Sequence, residues 1–307
     1  MGRRNRNQFS INVDPHQHAI VEIMRGLFLR HNPYSVFADF IEMSAIALSN
    51  RFDFAQRDGR EKRYLEIAKG YTPEEVTKIA NMFAELLMCY RERTDELGSP
   101  GLGMRHQFNN DVDVLGKLFS TLEIGNDRMG QFFTPGCVQN FMAQMALHDE
   151  DKVREQLREH GFVTVLEPAC GAGGMVVALA EAFHNLGFNY PTQFHATCVD
   201  KDRLCVHMTY LQLSLRGIPA IVVHGDSLTL QTWATWYTPP HIFLGWNAKL
   251  QKRREAERAQ KAVEQAEKLL QPAPVVSPLP EMPPAREARH NRKRRHQQAT
   301  VSASSPQ

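Results

Sequence analysis

Residues 165–175 read Val-Leu-Glu-Pro-Ala-Cys-Gly-Ala-Gly-Gly-Met, an apolar run broken by a glycine turn, and Val176–Phe183 continues in small apolar residues. A strand that turns sharply into a helix is the repeating unit of a parallel α/β sheet. Gly171 and Gly173 reach backbone angles closed to other residues and leave no side chain between the chain and a ligand. The helix beyond them starts with unpaired N–H groups. A structural turn needs the same glycines for packing, so this segment alone leaves ligand loop and packing turn both open. Two further apolar runs extend the pattern. Phe194–Val199 stops at Asp200, and Ile218–Val223 stops at Gly225-Asp226. In a parallel sheet the ligand crevice lies outside the carboxyl ends of the strands, which places both acids beside the glycine turn. A carboxylate after the second strand suits a ribose diol, and one after the third suits an adenine amino group, because each accepts hydrogen bonds. As plain helix caps or turn residues, the same acids would bind nothing.

Upstream stand Asp113-Val114-Leu115-Gly116 with Phe119, and then Gly130-Gln131-Phe132-Phe133-Thr134-Pro135. Together with Glu167-Pro168-Ala169-Cys170-Gly171-Ala172-Gly173, these motifs make residues 111–228 resemble the N6-adenine DNA methyltransferases. The likeness is strongest to the modification (M) subunits of type I restriction-modification systems and to related solitary methylases. The resemblance implies a Rossmann-like α/β fold dependent on S-adenosylmethionine. In it Phe133, Thr134 and Pro135 close over the cofactor, Gly171 and Gly173 back it, Asp200 holds its ribose and Asp226 meets its adenine. Glu167 fits the same picture, since a carboxylate attracts the cationic amino group and sulfonium of a methyl donor and repels a dinucleotide's pyrophosphate. DNA, a restriction-modification specificity or methylase subunit, and the cytoplasm of a bacterium or its mobile elements are the implied partners and setting.

One expected element is missing. Active members of that family carry Asn or Asp, two prolines and an aromatic residue after their fourth strand, which accept the hydrogens of the adenine amine and hold a flipped base. The nearest counterpart here is Thr238-Pro239-Pro240-His241, which precedes the apolar run Ile242-Phe243-Leu244 instead of following one. It reads as a stiff turn into a short last strand. Asn32-Pro33-Tyr34 lacks the second proline and reads as a helix boundary. Three functions follow: an adenine methyltransferase that depends on a partner, an inactive homologue serving as a DNA-binding regulator or anti-restriction decoy, and a small-molecule methyltransferase. The last is weakest, because Phe133-Thr134-Pro135 belongs with the DNA enzymes.

The rest of the chain sets boundaries. Residues 1–12 read as a disordered basic arm, 13–97 as a helical domain and 98–110 as a linker. Residues 111–246 form the cofactor-binding domain, 247–271 a charged helix, and 272–307 a disordered tail. The helical domain carries Ile20, Ile23, Met24, Leu27 and Leu29 at helical spacing, and Thr72-Pro73-Glu74-Glu75 opens a further helix. In the tail, Arg292, Lys293, Arg294 and Arg295 are candidates for phosphate contacts, although the net charge of +2 over 307 residues argues nothing by itself. The five cysteines, at 89, 137, 170, 198 and 205, contain no Cys-x-x-Cys pair, so neither a disulfide framework nor a zinc site is expected. No apolar run reaches membrane-spanning length. The family's sheet has seven strands and at most four are legible here. Such a truncated sheet leaves an edge exposed, which points to a homo- or hetero-oligomer.

Overall fold

The computed structural model describes residues 14–97, 113–122, 124 and 133–270. The basic arm, the linker, the tail with Arg292, Lys293, Arg294 and Arg295, and the Gly130-Gln131-Phe132 part of the upstream motif lie outside the described residues. Residues 1–255 form one compact unit and 256–307 a second. No helix among the described residues is long and apolar enough to cross a membrane.

Four helices come first: α1 (Pro15–Leu27), α2 (Pro33–Ser49), α3 (Arg57–Ala68) and α4 (Pro73–Leu97). Asn32 caps α2 by accepting from the Ser35 N–H, with Pro33 at the first helical position, so Asn32-Pro33-Tyr34 is the boundary the sequence suggested. Thr72 and Glu75 form a reciprocal capping box at the start of α4. Ile20, Met24, Phe37, Phe40, Met82 and Leu86 are all fully buried where these helices meet. Leu29 is not part of that core. It follows the last turn of α1, where the helical period no longer applies, and is 87% exposed.

Three helices lead into the sheet: α5 (Val114–Thr121), α6 (Gly136–Ala146) and α7 (Glu150–His160). There follow β1 (Val163–Glu167), α8 (Gly174–Asn185), the single turn α9 (Tyr190–Gln193), β2 (Phe194–Asp200), α10 (Arg203–Leu215), β3 (Ala220–Asp226), β4 (Gln231–Tyr237), α11 (Pro239–Phe243) and α12 (Trp246–Leu270). The sheet order is β1-β2-β3-β4, with the first three strands parallel. The chain thus has the expected Rossmann-like α/β fold with a shortened sheet behind N-terminal helices. β1 is a terminal strand. In a doubly wound sheet the strand order reverses beside the first strand, so the described residues present one half of such a sheet. One side of the sheet is dry, with Phe194, Ala196, Cys198, Ala220 and Val222 fully buried, and that core is continuous with the N-terminal helices. On the other side Leu166 is 68% exposed, and Phe162 and Ile221 pack against Trp246 and Leu250 of α12.

One expectation is corrected here. Ile242-Phe243-Leu244 forms no strand, because Thr238 and the two prolines start the short helix α11, and a proline pair cannot feed a hydrogen-bonded ladder. The last strand is instead β4, which runs antiparallel to β3 and buries Trp236.

Candidate functional site

The glycine turn sits where β1, β2 and β3 end. Gly171 and Gly173 have φ of 53° and 90°, both in the left-handed region that favours glycine. The turn is held from three sides. Asp200 at the end of β2 accepts the Gly171 N–H at 2.9 Å through one carboxylate oxygen and the Asp202 N–H at 2.8 Å through the other. Thr209 on α10 donates to the Gly171 carbonyl at 2.8 Å, and a Cβ on Gly173 would lie 3.0 Å from its hydroxyl. Gln212, one turn further along α10 and fully buried, donates to the Ala172 carbonyl at 2.6 Å and to Asp113 at 2.7 Å. Its amide oxygen accepts from the Tyr90 hydroxyl at 2.7 Å. Thr209 and Gln212 did not stand out in the sequence. Their one signal was polarity at a three-residue spacing within a buried helix.

A file of aromatic rings reaches the turn from the N-terminal helices. Phe37 meets Phe119, Phe119 meets Phe133 edge-on at 5.4 Å, and the Phe133 ring lies 3.4 Å from where a Gly171 Cβ would stand. Phe133 therefore lies over the bend. Pro135 and Thr134 follow it on the surface, with Pro135 as the N-cap of α6.

The acids differ in state. Glu167, at the end of β1, accepts the Ala169 N–H at 3.3 Å, and burial, with Asp200 nearby, holds its carboxyl above the ordinary range. Burial likewise raises Asp200, against the two N–H groups it accepts. Asp226 is the opposite case. Lys201 lies 2.9 Å away and the Leu228 and Thr229 N–H groups donate to it, so its carboxyl falls to about 2. Asp226 thus orders the β3–β4 turn, and its oxygens are more fully engaged than those of Glu167. Burial lifts the Cys170 thiol to about 12, which makes it a packing residue and no nucleophile.

Thr238-Pro239-Pro240-His241 lies at the other end of the sheet. Thr238 accepts the Ala220 N–H at 2.8 Å and donates to the Ile218 carbonyl at 3.0 Å. His241 is 1% exposed, 2.9 Å from His195 on one ring nitrogen and 2.9 Å from Asn247 on the other. This tetrad is structural. Among the described residues no group of His, Cys, Asp and Glu could hold a metal ion.

The turn suits S-adenosylmethionine in three respects: a backbone free of side chains, a helix N-terminus that no side chain caps, and two carboxylates whose raised proton affinity a bound cation would relieve. Among curated proteins none matches the chain. A solved structure from Listeria monocytogenes, described as that of a class I S-adenosylmethionine-dependent methyltransferase, overlays with a TM-score of 0.36 and 15% identity. It covers 70% of this chain, which spans 55% of that one, and the overlay is too loose to inform the fold. Residues 113–252, a segment that contains the whole glycine turn and its braces, match the family described as N-6 DNA methylase, a likeness that implies S-adenosylmethionine as the cofactor.

Proposed function

We propose that this chain binds S-adenosylmethionine at the glycine turn and serves adenine-N6 methylation of DNA together with a partner subunit, in the manner of a restriction-modification methylase component. The observation that carries the reading is the braced turn, with Phe133 above Gly171 and the carboxylates of Glu167 and Asp200 beside it. Bound there, S-adenosylmethionine supplies an electrophilic methyl group on a cationic sulfur. The chain's own part is to hold it: Gly171 and Gly173 admit the ligand to the backbone, Glu167 and Asp200 face its positive charge and ribose, and Asp226 marks the adenine end. Phe133, Thr134 and Pro135 form the cover. The tail residues Arg292, Lys293, Arg294 and Arg295 add sequence-independent phosphate contacts.

A second reading has its own support. The single Pro-Pro pair in residues 228–246 opens α11 far from the turn, with Pro239 buried, which favours an inactive homologue acting as a DNA-binding regulator or anti-restriction decoy. Incubation with labelled donor and mixed-sequence DNA, alone and with restriction-modification subunits, separates the two. Label in DNA that Asp200→Ala abolishes supports the enzyme. Donor binding by calorimetry with no incorporation under any pairing supports the regulator, and no donor binding at all removes both.

A further inference from the structure

Gln139 stands between the Phe133-Thr134-Pro135 cover and the start of α8, in a position that neither caps a helix nor completes a core. It is 3% exposed. Its amide nitrogen donates to the Thr134 carbonyl at 2.9 Å, and this bond fixes the amide orientation, because only the nitrogen can donate. The amide oxygen is then left buried with no hydrogen-bond partner among the described residues. Such an atom forfeits its hydration, and native chains keep one where something else supplies a donor. The surroundings say what that donor accompanies. The Gln139 amide lies 2.4–2.8 Å from where a Gly174 Cβ would project, so it borders the first residue of α8. The N-cap of α8 is Gly173, which offers no side chain, and a 12-residue helix brings its free N–H groups and positive dipole end to this point. An acceptor facing a positively polarised helix end is matched by a ligand group holding both a donor cation and an anion.

We infer that the Gln139 side-chain oxygen and the N-terminus of α8 receive the α-amino-acid end of the ligand, with the ammonium on Gln139 and the carboxylate on the α8 N–H groups. The inference rests on the reading of the glycine turn as an S-adenosylmethionine site and adds to it a residue that selects for the amino-acid end. Gly174 belongs to the same device, since any side chain there would displace Gln139.

The test compares two ligands by calorimetry: S-adenosylhomocysteine, which carries the amino-acid end, and 5′-methylthioadenosine, which lacks it. Gln139→Met removes the acceptor, while Gln139→Glu keeps an acceptor at the same reach and gives up the donor to Thr134. Loss of a hydrogen bond to a charged group weakens binding roughly ten- to a hundredfold. The expected result is that loss for S-adenosylhomocysteine in Gln139→Met, unchanged affinity for 5′-methylthioadenosine, and affinity within about threefold of wild type in Gln139→Glu, by the same hydrogen-bond argument. Equal weakening of both ligands, or equal loss in both variants, assigns Gln139 a purely structural role and overturns the inference. Unchanged affinity for S-adenosylhomocysteine in a folded Gln139→Met overturns it too, with the wider reading intact. Wild type that binds neither ligand sinks the wider reading and this inference together. Melting curves confirm that each variant is folded.

Discussion

Asp200 lies close enough to Glu167 to raise its proton affinity, and both carboxyls are partly withdrawn from water. A cationic ligand is attracted only to the ionised carboxylate. Affinity for S-adenosylmethionine should therefore fall as the pH drops through the raised Glu167 range, and the fall should begin above the usual carboxylate value near 4.3. Isothermal titrations between pH 7.5 and 5 read this directly. Glu167→Gln should bind more weakly at pH 7.5 and show a flatter dependence, and an unchanged pH profile in that variant would place the charge elsewhere. Asp226 works differently, since its low carboxyl keeps it ionised throughout this interval and paired with Lys201.

Between elements, Arg60 of α3 ties the N-terminal helices to the sheet. Its guanidinium pairs with Asp53 at 2.8 Å, donates to the Thr235 carbonyl at 3.1 Å, bonds Ser49, and lies 3.9 Å over the Trp236 ring. Arg60→Met should lower unfolding free energy by about 3 kcal/mol, because it strands a buried carboxylate as well as losing the stacking. Urea denaturation measures it, and a loss under about 1 kcal/mol, the usual worth of an exposed pair, would show that the pair is solvated.

A second element-scale property is acid sensitivity. His195 in β2 and His207 in α10 are both nearly inaccessible, and burial depresses each to about 3, aided at His195 by His241. An unfolded histidine takes its proton near 6.5, so between those values the unfolded chain binds more protons. Their stabilising contribution is complete above about pH 6.5, the unfolded value, and is lost as pH falls toward 3, by up to about 1.4 kcal/mol per pH unit for each. Denaturation midpoints at pH 7 and 5 should differ accordingly, and His207→Phe should shrink the difference.

For the molecule as a whole, the side of β1 that pairs with no strand among the described residues is its least finished feature. Elsewhere α6 presents Val138, Phe141, Met142 and Met145, between 41% and 61% exposed and spaced as one helical stripe. An open strand edge and an exposed apolar stripe each invite association. Light scattering should accordingly find species heavier than the 35.0 kDa chain, and Phe141→Lys with Met145→Lys should return the chain mass without loss of helical signal. A folded wild type of single-chain mass at micromolar concentration would count against a homo-oligomer.

The sequence by itself determined the strand–turn–helix unit, the ends of β1 and β2, the capping of α2 and α4, and the backbone freedom of Gly171 and Gly173. These are local matters of backbone freedom, hydrogen-bonding capacity and apolar period. It missed β4, because Gln231–Tyr237 is mostly polar or aromatic and becomes a strand only by pairing with β3. It also read Ile242–Leu244 as a strand, because a three-residue apolar run has no period to separate helix from strand. Which side chains brace the turn was decided by tertiary structure alone. Thr209, Gln212 and Gln139 come from α10 and α6, and their roles arise from where those helices pack, a fact that depends on the whole core and that no local pattern encodes.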